Sequence, residues 1–176
     1  REEISPVLAS MIDELELILA RHEIPTVVAE CVLKDEILKV GKKPRVFCML
    51  PAAFNIVCKS RFAILKRAMR YSYFGSGCAV GLDMGSRKVE DLVTFLLGSK
   101  YLYAMDVSRF DKSWTPQAWD AVAEVVYQVT LHSSNEQVAW EAWALVMAMK
   151  EAIICIKGDF FTSFWNISGN DLTVEL

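Results

Sequence analysis

The chain has 176 residues, of which 53% are hydrophobic, and a net charge of −3. This length suffices for one domain with a sizeable core. Charged residues interrupt every apolar segment, so no membrane span of about 20 residues is predicted, and the charged start predicts no signal peptide. The five cysteines are well separated and include no C-x-x-C pair, which favours reduced thiols in a cytosolic protein over a zinc site or a disulfide framework.

Basic residues are concentrated in one part of an otherwise acidic chain. Residues 34–70 contain ten Lys and Arg and only two acidic residues, a net charge of +8. Such a block predicts a local site for a polyanion. A solvated helix face explains residues 59–70 equally well, but it fits the Lys-rich turn at 39–45 less well.

The first half of the chain predicts two helices around a hairpin. Ser5-Pro6 opens a helix that ends near His22. Residues 26–33 and 45–50 are predicted to be the two strands of the hairpin, and its tip is basic (Lys39, Lys42, Lys43 and Arg45). Pro51 starts a helix that runs to about Arg70, and the Gly-rich residues 71–85 predict a loop.

A third helix is predicted from Ser86 to Leu97, ended by Gly98. Its apolar residues at helical spacing predict an inward face, formed by Val89, Leu92, Val93 and Leu96.

The stretch from Lys100 to Val107 predicts a buried strand with Asp106 at its end. Asp111 follows five residues later, across a polar turn. A carboxylate at the mouth of a buried strand is costly unless it is compensated, and a metal ion does this well. A strand end followed by a polar turn and a helix cap explains the same residues about equally well.

The second half predicts a helical pair and a second hairpin. Thr115-Pro116 starts a helix to about Leu131, and Asn135 starts another to about Lys150. The tryptophans at 114, 119, 140 and 143 fall at helical spacing, which favours core positions over base stacking. Residues 152–165 predict a hairpin turning at Gly158-Asp159, and this turn explains the Gly-Asp pair without a catalytic role.

Three segments, in order, resemble the motifs of viral RNA-directed RNA polymerases of the picorna-like positive-strand group. Lys34-Asp-Glu36 with Lys42-Lys-Pro-Arg-Val-Phe47 is similar to the basic fingertip motif F. Asp106-Val-Ser-Arg-Phe-Asp111 is similar to palm motif A, and Ser168-Gly-Asn-Asp-Leu-Thr173 to motif B. The resemblance covers about residues 33–176.

The resemblance implies an α+β right-hand polymerase. Residues 1–99 would form a fingers region with a basic fingertip hairpin at about 27–50, and residues 100–176 would form a partial palm. The implied activity is RNA-templated RNA synthesis by two-metal nucleotidyl transfer, with two Mg²⁺ or Mn²⁺ ions, an RNA template-primer and ribonucleoside triphosphates. The implied location is the host cytoplasm, in viral replication complexes.

The resemblance also implies residue roles. Asp106, with the Val107 backbone carbonyl, would hold metal, and Asp106 would be catalytic. Lys43 and Arg45 would neutralise the triphosphate, with Lys34 and Lys42 as weaker phosphate contacts. The remaining nucleotide-binding residues would be Asp111, Ser168, Gly169 and Thr173.

Departures from the family pattern predict an incomplete catalytic core. The Asn of motif B would fall at position 177, and motif C and the thumb are not found among these residues. The sequence therefore predicts a segment that does not polymerise alone and relies on other parts of the same polyprotein. Two alternatives stay open: a reverse transcriptase-like polymerase, against which Asp111 counts because that class places a bulky aromatic there, and a non-catalytic RNA-binding helical domain.

Overall fold

The computed structural model describes residues 4–35, 37, 40–41, 43–44, 46–77, 82–83, 85–107 and 110–167. These ranges contain six α-helices, four β-strands and a 3-10 turn at Phe110–Lys112. The helices are α1 Pro6–Ala20, α2 Ala52–Tyr71, α3 Tyr73–Ser76, α4 Arg87–Leu97, α5 Pro116–Ser133 and α6 Glu136–Lys150. The strands are β1 Val28–Leu33, β2 Val46–Met49, β3 Ile153–Ile156 and β4 Asp159–Thr162. The α+β prediction is confirmed.

The four strands form one mixed sheet in the order β2-β1-β3-β4. Both predicted hairpins are present, because β1 pairs antiparallel with β2 and β3 pairs antiparallel with β4. A parallel β1–β3 pair joins the two hairpins. The residues predicted to form the basic tip belong to the connection between β1 and β2, of which Lys39, Lys42 and Arg45 lie outside the described residues.

The core lies between one face of this sheet and helices α1, α2, α5 and α6. Trp119 and Phe54 are its largest fully buried side chains. The predicted core role of the tryptophans is confirmed, since the three others pack against the same cluster (Trp114, Trp140 and Trp143). In the described part of the chain, no helix combines the length and apolar character that crossing a bilayer requires.

Helix caps account for the boundaries of the α5–α6 pair. Thr115 Oγ1 accepts a hydrogen bond from the Ala118 amide at 3.3 Å, and Asn135 Oδ1 accepts one from the Val138 amide at 3.0 Å. Ser5 precedes α1 without such a side-chain bond, and Pro6 occupies the first turn of that helix.

The turn of the second hairpin lies one residue earlier than predicted. Lys157 and Gly158 are the turn residues, with φ of 52° and 89°, and Asp159 begins β4. A type I′ turn requires positive φ at both central positions, and glycine adopts it without steric cost in the second. The choice of Gly158-Asp159 as the turn was therefore wrong.

Helix α4 has its predicted bounds but not its predicted inward face. None of its residues is buried: Val89 and Leu92 are partly covered, while Val93 and Leu96 are exposed. The amphipathic pattern identifies a face but not a partner, and the core of the described residues forms without α4. The predicted loop before it also contains the single helical turn α3.

The expectation of free thiols was wrong for two cysteines. Cys31 and Cys48 are direct cross-strand partners in β1 and β2, and a disulfide joins them. The sequence did not reveal this pairing, because the pairing depends on the register of the hairpin. Cys58 and Cys155 form no disulfide with any described residue.

Candidate active site

The residues before Asp106 do not form the predicted buried strand. Tyr101–Val107 has no regular secondary structure, and every residue in it is exposed, including Asp106 and Val107. A strand is stabilised by a hydrogen-bonded neighbour, and no strand of the described residues pairs with this stretch. Apolar composition alone therefore led to the wrong prediction, and the carboxylate of Asp106 faces solvent.

Asp111 lies in the 3-10 turn that follows, and aromatic contacts fix this turn against α5. The Ser113 hydroxyl donates to the Phe110 carbonyl at 2.8 Å, which closes the turn. The Phe110 ring meets Trp114 edge-on with 6.0 Å between centroids, and Trp114 packs 4.8 Å from Trp119. Because Trp119 is fully buried, the turn is tied to the core.

The residues leading to Ser168 are held beside this turn. Trp119 Nε1 donates a hydrogen bond of 2.9 Å to the Phe164 carbonyl, and Asn166 and Ile167 are buried. Lys112 Nζ lies 4.7 Å from the centroid of the Trp165 ring, a cation–π distance. The segment after Asp111 and the segment before Ser168 are thus in direct contact.

A small surface depression, open to solvent, lies where these segments meet β2 and β3. Its lining residues come from all of them (Val46, Cys48, Lys112, Ile154, Trp165, Asn166 and Ile167). Val46 follows Arg45, Lys112 follows Asp111, and Ile167 precedes Ser168. The fold therefore brings together three residues that are adjacent in sequence to predicted site residues, while Asp106 and Val107 do not line the depression.

Comparison with known proteins identifies the family. Residues 2–163 match the family described as viral RNA-dependent RNA polymerase. The chain belongs to this family. The predicted resemblance to viral RNA-directed RNA polymerases of the picorna-like group is confirmed.

Two viral polyproteins are similar to this polymerase chain. It is 30% identical over 153 residues to the RNA1 polyprotein of Raspberry ringspot virus (strain cherry), a match covering 81% of the chain and 6% of that polyprotein. It is 35% identical over 107 residues to the RNA1 polyprotein of Tomato ringspot virus (isolate raspberry), covering 57% of the chain and 5% of that polyprotein. The matched residues span about one-twentieth of either relative's length.

The basic residues predicted to contact phosphate belong to the β1–β2 connection. Lys34 directly follows β1, and both Lys34 and Lys43 are exposed and accessible to an anion. Lys42 and Arg45 lie outside the described residues, as do Ser168, Gly169 and Thr173. Their predicted roles stay predictions.

The metal ligands predicted for the polymerase match Mg²⁺ or Mn²⁺ in kind. The Asp106 carboxylate and Val107 carbonyl are hard oxygen donors, and both residues are exposed. Among the described residues there is no group of three or more His, Cys, Asp or Glu that could hold a metal ion. These two donors fit part of a site, to which further oxygen ligands would have to be added.

A partly buried ion-pair network, which sequence reasoning missed, joins helices α1, α2 and α6. Arg61 of α2 donates from Nε to Glu141 of α6 at 2.6 Å, and from Nη2 to Glu16 of α1. Gln137 donates to the other oxygen of Glu141 at 2.9 Å. Burial alone would lower the pKa of Arg61, but the hydrogen bond and charge of Glu141, together with Glu16, outweigh it, and the pKa is raised.

Proposed function

We propose that the chain is the nucleotide- and metal-binding part of a viral RNA-directed RNA polymerase that makes RNA on an RNA template. Membership of the polymerase family over residues 2–163 carries this proposal. It is supported by the depression at which Val46, Lys112 and Ile167, each adjacent in sequence to a predicted nucleotide-binding residue, meet.

The basic connection between β1 and β2 would bind the incoming triphosphate. Lys43 and Arg45 neutralise its charge, and Lys34 and Lys42 make weaker contacts with triphosphate or RNA phosphates. The exposure of Lys34 and Lys43 supports this role, since an ammonium group binds phosphate best when nothing else holds it.

The ribose would be sensed between the 3-10 turn and the segment that begins at Ser168. Asp111 accepts a hydrogen bond from the 2′-hydroxyl, which favours ribonucleotides over deoxyribonucleotides. Ser168 and Gly169 position nucleotide and template, and Thr173 supports the ribose contacts. The contact between Lys112 and Trp165 supports this arrangement, because it joins the two sides.

Asp106 and the Val107 carbonyl would hold divalent metal, with Mg²⁺ or Mn²⁺ as the cation. Two such ions, when bound, activate the primer 3′-hydroxyl and stabilise the charge of the leaving pyrophosphate. Asp106 is the catalytic residue of this set, since its carboxylate brings negative charge to the cations. Its solvent exposure leaves its oxygens accessible to ions and nucleotide.

The remaining parts of the machinery are proposed to come from the same polyprotein. They are the second metal-binding carboxylate of motif C and the thumb, without which residues 1–176 alone would be inactive. The partners are an RNA template-primer and ribonucleoside triphosphates, and the setting is the viral replication complex in the host cytoplasm.

Replacing one carboxylate tests the assignment of Asp106. In the polymerase polypeptide that carries this chain, we expect Asp106→Asn to reduce primer extension on an RNA template by about a thousandfold or more. The matched control is Asp159→Asn, because Asp159 is also an exposed aspartate beside a turn and has no assigned role. Extension by the control should stay within about twofold of wild type, a difference well under 1 kcal/mol.

Either of two results would contradict the proposal. Full primer extension by Asp106→Asn would show that Asp106 is a structural carboxylate. It would favour the alternative that the chain is a non-catalytic RNA-binding domain. Preferential use of deoxyribonucleoside triphosphates by the wild-type polypeptide would favour the reverse transcriptase-like alternative.

A further inference from the structure

Tyr71, at the end of α2, is an exposed aromatic ring between two cations. Arg67 Cζ lies 5.6 Å from the ring centroid, and Lys88 Nζ, from the neighbouring helix α4, lies 5.5 Å from it. Both distances fall within the range of cation–π attraction. The tyrosine is nevertheless 70% exposed, so its ring is open to a further ligand.

The two cations beside Tyr71, Arg67 and Lys88, have no carboxylate partner among the described residues. Helix α2 has five basic residues and no acidic one, and three of the basic residues lie in its last six positions (Lys66, Arg67 and Arg70). Arg67, Arg70 and Lys88 form no salt bridge with any described residue. By contrast, Arg61 on the same helix is engaged by two carboxylates.

Helix stability explains only part of this cluster. A cation in the last turn of a helix interacts favourably with the helix dipole, which accounts for Arg70. It does not account for Lys88, which lies in the first turn of α4, where the dipole disfavours a cation. Glu90 and Asp91 lie on α4 as well, but neither forms a salt bridge with Lys88 in the described structure.

An exposed aromatic pair lies on α3 and α4, the helices that follow Tyr71. Phe74 of α3 and Phe95 of α4 pack with 5.1 Å between ring centroids, and they are 47% and 60% exposed. Proteins that bind single-stranded nucleic acid without sequence preference combine aromatic rings, which stack on the bases, with cations, which contact the phosphates.

We propose that Tyr71, Arg67 and Lys88, with Phe74 and Phe95 beside them, form a binding site for single-stranded RNA separate from the depression described above. Arg67 and Lys88 contact phosphates, and an unpaired base stacks on the exposed part of Tyr71. Because RNA binding at this site requires no catalysis, it can be tested independently of the polymerase activity proposed above.

Fluorescence anisotropy with the full chain and a labelled 12-nucleotide oligouridylate tests this site. We expect Tyr71→Leu to weaken binding by about fivefold or more, because stacking on one aromatic ring contributes more than 1 kcal/mol per base. Tyr71→Phe should retain most of the affinity, because the ring is kept. Circular dichroism of each variant checks that the fold is unchanged.

The charge contribution is measured from the salt dependence of the same binding. Arg67→Gln and Lys88→Gln should each lower the slope of log K against log salt by about 0.7, the value for one phosphate contact of a single strand. Lys59→Gln is the matched control: it removes the same charge from an exposed position of α2, away from Tyr71, and should leave the slope unchanged.

The outcomes separate RNA from other anions. An oligoglutamate of equal charge should bind more weakly than oligouridylate and should not respond to Tyr71→Leu. Equal affinity for the two anions would overturn the proposal in favour of an acidic protein partner. Binding of oligouridylate that is unchanged in Tyr71→Leu and equally reduced by all three charge variants would also overturn it, because only non-specific attraction would remain.

Discussion

At the scale of single residues, Arg61 is a structural cation and differs from the exposed cations that are available to ligands. Its side chain is 17% exposed, that of Glu141 is 10% exposed, and Glu16 and Gln137 complete the hydrogen bonds. Removing one member of a largely buried ion pair strongly destabilises a protein, because the remaining charge is left unpaired away from water. The network therefore fixes α1, α2 and α6 relative to each other.

The structural role of this network is tested by Arg61→Met. We expect a loss of about 3 kcal/mol in the free energy of unfolding, measured by urea denaturation, because Glu141 is left unpaired. Lys150→Met is the control: it removes the more exposed Lys150–Asp120 pair and should cost about 0.5 kcal/mol. Equal losses from the two variants would contradict the role given to Arg61.

The pH dependence of the Arg61 contribution follows from the direction of its shift. Because Glu141 and Glu16 raise the pKa of Arg61 above its ordinary value, its stabilisation is fully present below that value and is lost only as the pH rises further. The difference between wild type and Arg61→Met should therefore be constant between about pH 6 and 9.

At the scale of elements, local chemistry was predictable and pairing was not. Thr115 and Asn135 mark the starts of α5 and α6, because a helix cap depends on a residue and its immediate neighbours. The Tyr101–Val107 strand, the inward face of α4 and the Cys31–Cys48 bond depend on residues distant in sequence. The same limit applies to the candidate site: residue types suggested its motifs, but only the fold shows the Lys112–Trp165 contact.

The unpaired state of Tyr101–Val107 gives a prediction for hydrogen exchange. In the 176-residue chain, the amides of this stretch should exchange at nearly unprotected rates, because no backbone hydrogen bond involves them in the described structure. Ile154, in a central strand, is the internal control and should be protected.

In the polymerase polypeptide, the same stretch is expected to become protected. An apolar, extended segment with free backbone groups readily accepts a neighbouring strand, and the proposed palm would supply one. Protection in the 176-residue chain itself would contradict the unpaired arrangement. Continued rapid exchange in the polymerase polypeptide would argue against a palm strand at these residues.

At the scale of the whole molecule, the candidate site depends on contacts between distant parts of the chain. A series of contacts runs from Phe110 through Trp114 and Trp119 to the Phe164 carbonyl, and the Lys112–Trp165 pair closes it. One end of the series is in the core, and the other is the 3-10 turn whose sequence includes Asp111. The core thereby fixes the 3-10 turn and the residues that directly precede Ser168 beside each other.

Lys112→Met tests whether this connection matters for nucleotide choice. Loss of an exposed cation–π contact costs about 0.5 to 1 kcal/mol and removes the link between Trp165 and the turn that contains Asp111. In the polymerase polypeptide we expect the ratio of kcat/KM for ribonucleotides over deoxyribonucleotides to fall by about twofold to fivefold, with Lys112→Arg retaining most of it because the cation is kept. Lys100→Met is the matched control, because Lys100 lies 5.3 Å from the ring of its own neighbour Tyr101 and connects no distant segments.

If Lys112→Met lowered kcat/KM equally for both nucleotide classes, Lys112 would support stability or general nucleotide binding but not ribose selection. A selective fall would mean that a contact between side chains 53 positions apart helps to set the sugar specificity of the polymerase.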